Sequence, residues 1–307
     1  MKKTRLFTLV LALVLSLVMC FGLLSACNAS DASKQQSDST ANAGSTSDAS
    51  DTTSNDNTPA ADSDMEYIRG NKKIVIGYTV YEPMNYTDDA GNFTGFDTEF
   101  AIAVCKKLGV EPDFVEINWD TKETELAAKS IDCIWNGMTI NPSRAAEMSI
   151  SHPYVKNAQV IVVKEGSTVA STADLVGKTV VAEVGSAGEM QLIGTDDDEP
   201  EENLAKADYV AMAKQTDCLL EVKSGTAEAA VLDWTLAKTM VDEGTSFSDL
   251  MMVKDLQLAE EEYGIAFRKG SDVTEIVNGI ILELVADGTL HALADKYDLI
   301  ISPAIEK

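Results

Sequence analysis

Histidine and basic side chains are what this chain has least of. Only His152 and His291 occur in 307 residues, so a histidine-based triad or metal site has little material to draw on. Lys and Arg number 24 against 50 Asp and Glu, for a formal net charge of -26. Nucleic acid and anionic lipid both need a basic surface, so neither is expected as a plain electrostatic partner. A small ligand senses only a local field, about which net charge says little. Of five cysteines, Cys20 and Cys27 lie near the front, while Cys105, Cys133 and Cys218 show neither C-x-x-C spacing nor a nearby histidine. They read as small buried hydrophobes rather than zinc ligands. No phosphate-binding P-loop occurs, and no apolar run after residue 24 approaches a membrane span. No cofactor is expected.

What the front does contain is a processing signal. Lys2, Lys3 and Arg5 form a basic start, and residues 6–24 are almost wholly apolar. Leu24-Ser25-Ala26-Cys27 resembles a bacterial lipobox. Residues 1–26 are therefore expected to be a signal peptide and Cys27 to carry lipid; a retained membrane anchor is the alternative, because the apolar run is long. Residues 27–64 are Ser, Thr, Asp, Ala and Asn with almost no large apolar side chain, which predicts a flexible acidic tether. On either reading the body lies outside the cytoplasmic membrane, held at its outer face.

The remainder suffices for one or two lobes. It reads as strand, hairpin, helix (73–78, 85–94, 96–108, closed by Gly109), then strand, helix, strand (113–117, 121–129, 131–135). After a strand at 158–163 the pattern restarts with strands at 178–182, 209–211 and 229–233 separated by helices. Short strands follow at 251–253 and 263–267, then two amphipathic helices separated by Gly288. Alternating strands and helices predict an α/β fold with mixed, mostly parallel sheets. The acidic run Thr195 to Glu202 lacks EF-hand spacing and reads as a solvated loop.

The stretch from Trp135 to Arg144 is the focus. A β-branched and aromatic strand breaks at Asn136-Gly137 and a cation follows a Pro-Ser turn. Ligands collect beyond the carboxyl ends of strands in open α/β sheets, so amides near Gly137 and Thr139 could join Arg144 in holding a carboxylate. A surface arginine after a turn is the plainer reading.

Tyr81-Glu82-Pro83-Met84, Gly95-Phe96-Asp97, Ile131-Asp132, Asn136-Gly137-Met138-Thr139, Arg144, Ser151-His152-Pro153-Tyr154, Gly185-Ser186 and Tyr263-Gly264-Ile265-Ala266, in this order and spacing, resemble the family 3 solute-binding proteins of polar amino-acid ABC importers. The resemblance implies two α/β lobes with a ligand cleft between them, joined by crossovers near 158–163 and 256–267. Lobe one would hold 65–160 and 261–307, and lobe two 161–260. Arg144 would clamp a free amino acid's α-carboxylate, with Gly137 and Thr139 as lobe-one donors and Ser186 and Ala187 as the lobe-two loop. Asp233 would take the α-ammonium, though it also suits a helix N-cap. Tyr81 and Trp119 would sandwich the side chain, or else serve as turn and core packing. Glu183 would touch that side chain and favour a cationic ligand, or else point to solvent. Capture by lobe closure, delivery to a separate permease with its ATPase, and a monomeric state follow from the same resemblance. A cyclohexadienyl-dehydratase-like enzyme and a sensing lipoprotein are the alternatives on this fold.

Overall fold

A computed structural model describes residues 63–306 other than Asp242. The expected signal peptide, lipid-bearing Cys27 and tether up to residue 62 lie outside the described residues.

The described chain opens with a helix that composition does not reveal, α1 (Asp64–Asn71). Its cap is Ser63, whose hydroxyl accepts from the Glu66 amide at 3.0 Å, and Asp64 and Glu66 place negative charge in the first turn where the helix dipole favours it. Arg268 holds this end to the body through Asp64 at 2.9 Å and Asp132 at 3.2 Å. Residues 63 and 64 thus belong to the body, not to the tether in which their composition places them.

In chain order there follow β1 (Lys73–Tyr78), the hairpin β2 (Tyr86–Thr87) and β3 (Phe93–Thr94), α2 (Phe96–Leu108), β4 (Glu111–Glu116), a 3-10 turn at Trp119–Thr121, α3 (Lys122–Ala127), β5 (Cys133–Thr139), α4 (Pro142–Glu147), β6 (Met148–Ile150) and β7 (Val155–Lys164). The rest comprises β8 (Thr179–Glu183), α5 (Ala187–Ile193), β9 (Asp208–Met212), α6 (Gln215–Ser224), β10 (Ala229–Asp233), α7 (Trp234–Met240), β11 (Leu250–Arg268), α8 (Val273–Ala286) and α9 (Thr289–Tyr297). Among the described residues no single helix is long and apolar enough to cross a membrane.

The strands run β4-β1-β5-β11-β7-β10-β8-β9 across one sheet, with β6 also on β11. Its two ends, β4-β1-β5 and β10-β8-β9, are parallel. The middle is antiparallel, where β7 and β11 pass between the two α/β lobes. Hydrogen bonding is thus continuous through the crossovers, and the sheet is mixed.

Three local expectations are corrected. β5 does not break at Asn136-Gly137: it continues to Thr139, because Tyr263 and Gly264 of β11 pair with Thr139 and Met138. Gly137 bulges within the strand at φ 57°, a left-handed backbone that glycine adopts without strain. The Pro-Ser turn is instead the start of α4. Asn141 caps it by accepting from the Arg144 amide at 2.8 Å, and Pro142 sits at the first turn, where its missing N–H costs nothing. Finally, the two short strands at 251–253 and 263–267 are parts of the single 19-residue β11. The acidic residues between them pair with β7, Glu260 to Glu262 lying opposite Ala158, Asn157 and Lys156. Charge masks the strand because exposed and site-facing carboxylates replace the expected apolar alternation.

The lobe-one core is aromatic. Phe100 meets Trp135 edge-on at 5.1 Å and Tyr154 at 5.4 Å, and Phe96 stacks on Tyr154 at 6.0 Å. All four are fully buried. Phe100→Ala is expected to cost about 3 to 5 kcal/mol, measured by urea unfolding; a loss below about 1 kcal/mol would mean that the site collapses without leaving a cavity. Cys105, Cys133 and Cys218 are buried in α2, β5 and α6 as free thiols.

Candidate functional site

The carboxyl ends of β1, β5, β8 and β10 face a small cavity between the lobes. Every residue singled out as a ligand contact lines it. From lobe one come Tyr81, Trp119, Gly137, Thr139 and Arg144, and from the other side Glu183, Ser186, Ala187 and Asp233. Thr79, Asn136 and Gln215 complete the wall; Asn136 belongs to the motif read in the sequence, while Thr79 and Gln215 carry no signal there, being common polar residues at a strand end and a helix start. A larger groove of about 970 Å³ lies along β6 and the start of α8. It is open to solvent, and Glu261 is among the residues that line it.

Arg144 is buried at 4 % exposure, which rules out the surface-arginine reading. The α4 cap turns its side chain inward, where Nη1 donates to Thr139 O at 2.8 Å and Nη2 to Gly185 O at 2.9 Å. No carboxylate pairs with it, and Nε has no partner among the described residues. Burial holds its pKa below the ordinary range, opposed by the fields of Glu123, Glu261, Asp233 and Glu183. A buried cation without a counter-ion is costly, and this one faces the cavity.

Lys122 escapes detection in the sequence, since a lysine at a helix start normally lies in water. It is 2 % exposed, donates to Trp119 O and Gly185 O at 3.1 Å each, pairs with Glu123 at 3.0 Å, and lies 4.9 Å from the centre of the Trp119 ring. Burial, with the neighbouring Arg144 charge, pushes it down to about 8. Arg144 and Lys122 therefore share the Gly185 carbonyl as an acceptor across the lobe boundary. Lys214 to Glu116 at 2.8 Å and Asn141 to Met190 Sδ at 3.2 Å also cross it.

Gly137 is required by shape as well as by φ: a Cβ there would lie 2.7 Å from Tyr81 Cε1. Its amide does not point into the cavity but donates to the buried Asp97 at 2.7 Å, which also accepts from Tyr154 at 3.0 Å. The Tyr81 hydroxyl meets that of Tyr263 at 2.5 Å. Ser186 caps α5 by accepting from the Glu189 amide at 3.1 Å. Thr139 donates to Glu261 at 3.0 Å.

Asp233 lines the cavity and also stands at a helix start. It occupies the N-cap place of α7 but makes no side-chain cap bond; its carboxylate turns into the site and accepts from Asn157, Gln159 and Gln215. Glu261, which its acidic neighbours would assign to solvent, reaches the same spot and accepts from Asn157 at 2.5 Å and Gln159 at 2.9 Å. Glu183 is buried at 4 % exposure, so it does not point to solvent.

Burial drives three carboxyls up: Asp97 to about 7, Glu183 to about 8, the latter helped by the Asp233 charge, and Glu261 well above its ordinary range for the same two reasons. In each case the folded state keeps a proton that the unfolded chain gives up above about pH 4. Stability is thus expected to fall as pH rises from about 4.5 to 7.5, by on the order of 1 kcal/mol per unit for each group that titrates. Urea midpoints at pH 5 and pH 7.5 check this; a higher midpoint at pH 7.5 would contradict it.

A fold of two α/β lobes around a buried, charged cavity defines a binding protein that encloses its ligand. Residues 74–299 match the bacterial extracellular solute-binding proteins, family 3, and the chain belongs to that family. It is 30 % identical over 229 residues to the arginine-binding extracellular protein ArtP of Bacillus subtilis (strain 168), covering 74 % of this chain and 87 % of that one. It is also 30 % identical over 220 residues to the L-cystine-binding protein TcyJ of Escherichia coli (strain K12), covering 71 % and 79 %. The solved structure of holo ArgBP from T. maritima superposes with a TM-score of 0.64 at 32 % identity, over 76 % of this chain and 98 % of that one.

Proposed function

We propose that this chain is the extracytoplasmic substrate-binding component of an amino-acid ABC transporter. It captures a free polar amino acid by lobe closure and passes it to a permease served by a separate ATPase. The observation that carries the reading is the opposition of Arg144, a buried guanidinium with no counter-ion and an unmet Nε among the described residues, to the carboxylate of Asp233 across the cavity. A zwitterion offers both partners at once: its carboxylate to the planar fork of Arg144, its ammonium to Asp233. Tyr81 and Trp119 then flank the side chain, and the buried Glu183 suits a basic one. The arginine-binding relatives support that preference, and the cystine-binding relative keeps neutral polar ligands in view.

The void between the walls is about 10 Å³, room for one water at most, so an amino acid enters only when the lobes part. Lobe one is proposed to comprise residues 65–160 and 261–307, and lobe two 161–260, hinged where β7 and β11 cross. Lipid on Cys27 and the following tether would hold the receptor, as a monomer, on the outer face near its permease.

The test is a thermal-shift screen against the twenty amino acids plus cystine and ornithine. It uses a body that starts at or before Ser63, so that the α1 cap is kept. A ligand that binds only the folded state raises the melting temperature by mass action. One class of amino acid standing clear of the rest is the expected result. Silence across the panel would overturn the reading, and turnover of a prephenate-like acid would favour the dehydratase alternative.

A further inference from the structure

Two carboxylates compete for the same donors beside the cavity. Asn157 Nδ2 donates both to Asp233 Oδ1 at 2.7 Å and to Glu261 Oε1 at 2.5 Å, and Gln159 Nε2 donates to the same two oxygens at 2.7 and 2.9 Å. The orientation of Asn157 is set from behind, because its Oδ1 accepts from the Thr235 amide and hydroxyl at 3.1 and 2.8 Å. Its amide hydrogens therefore face the acids. Two amide nitrogens bracketing one oxygen from each acid hold those oxygens close together, without an intervening cation.

The charged and titratable groups around this pair come from every neighbouring strand. Glu183 on β8 and Asp97 on α2 are two further carboxyls that burial holds toward their protonated form, Tyr81 and Tyr263 present neutral hydroxyls, and Arg144 on α4 is the cation whose field reaches both acids without bonding either. Like charges this close in a buried site do not both ionise.

We propose that Glu261 is a specificity-determining acid of the ligand site: with Asp233 it forms a carboxylate pair that keeps one proton in the free protein and releases it when a ligand's ammonium docks. The inference rests on the amino-acid reading of the site and adds a residue and an exchange to it. The balance is simple. One proton leaves the pair for solvent, one ammonium takes its place between two carboxylates, and no bond other than the O–H is broken. A ligand lacking the ammonium, such as the α-hydroxy or α-keto analogue of an amino acid, brings no charge to displace the proton and is rejected. The raised pKa of Glu261 has the sign this requires.

The consequence for pH is that affinity rises with pH. While the free pair holds its proton, binding releases it, and Kd falls by up to tenfold per pH unit between about pH 5 and 7.5. The experiment is titration calorimetry on the full chain in mild detergent with L-arginine, L-glutamine and L-cystine, each in phosphate and in Tris at pH 7. Those buffers differ in ionisation heat. A buffer-dependent heat corresponding to proton release, up to about one per ligand bound, is expected in the wild type, and Glu261→Gln should abolish it and flatten the pH dependence. Binding with identical heats in both buffers overturns the shared proton while leaving amino-acid capture intact. If none of the three ligands binds, the capture reading fails instead, and the pair is judged on the free protein: its infrared spectrum at pH 7 should carry the C=O stretch of a buried protonated carboxyl that Glu261→Gln removes. The same spectrum in both proteins overturns the pair. Glu261→Asp, tested alongside, keeps the acid if the glutamine variant does not fold.

Discussion

Arg144→Ala should weaken amino-acid binding by at least tenfold and by about a hundredfold if both of the fork's bonds to the ligand are lost. A charge-assisted hydrogen bond contributes roughly 1.5 to 3 kcal/mol, and a bidentate one adds directional specificity. The loss is measured by calorimetry with whichever amino acid the screen identifies, after a thermal melt has shown that the fold survives. Survival is expected because, among the described residues, the guanidinium bonds only to Thr139 O and Gly185 O, and its removal also relieves the burial of an uncompensated cation. Arg144→Lys should recover little: one ammonium cannot serve Thr139 O, Gly185 O and a ligand carboxylate in the same plane. Binding within threefold of wild type in either variant would mean that the ligand's acid group is held elsewhere.

Asp233→Ala is expected to be comparably damaging, roughly 10- to 150-fold on Kd, and by a different route. The ligand ammonium loses its counter-charge, and Gln215, which donates to Asp233 and accepts from its backbone amide at 3.1 Å, loses its anchor. Asp233→Asn should do no better, because it turns an amide toward three amide donors. The Arg144→Ala and Asp233→Ala effects should fall short of adding, since both groups hold one ligand in one register. Full additivity, or a loss under threefold for Asp233→Ala, would place the ammonium at Glu261 or Glu183 instead.

Much of the fold and of the site is legible in the amino-acid sequence. The hairpin 85–94, the helix closed by Gly109 and the strand ending at Asp233 follow from turn chemistry and apolar periodicity, which act within a few residues. Most of the nine candidate contacts lie at or near ends of local elements, where order and spacing carry the resemblance, and all nine line one cavity. What the sequence does not disclose concerns partners distant along the chain. Asn136-Gly137 looks like a break because glycine and asparagine favour turns; only pairing with Tyr263 and Gly264, more than 120 residues later, keeps the strand going. Glu260-Glu261-Glu262 looks like a solvated run because carboxylates normally seek water. It is a strand because β7 supplies the ladder, and the half-buried Glu261 turns to the site because Asn157 and Gln159 supply its donors.

Lys122 makes the same point from the other sign, reaching buried carbonyls at Trp119 and, across the lobes, at Gly185. By itself, then, the sequence determined most of the elements, the family and nine residues that line one cavity. Tertiary structure decided which charges are buried together, because the field and the hydration at a side chain depend on what packs against it in space, and sequence spacing does not encode that.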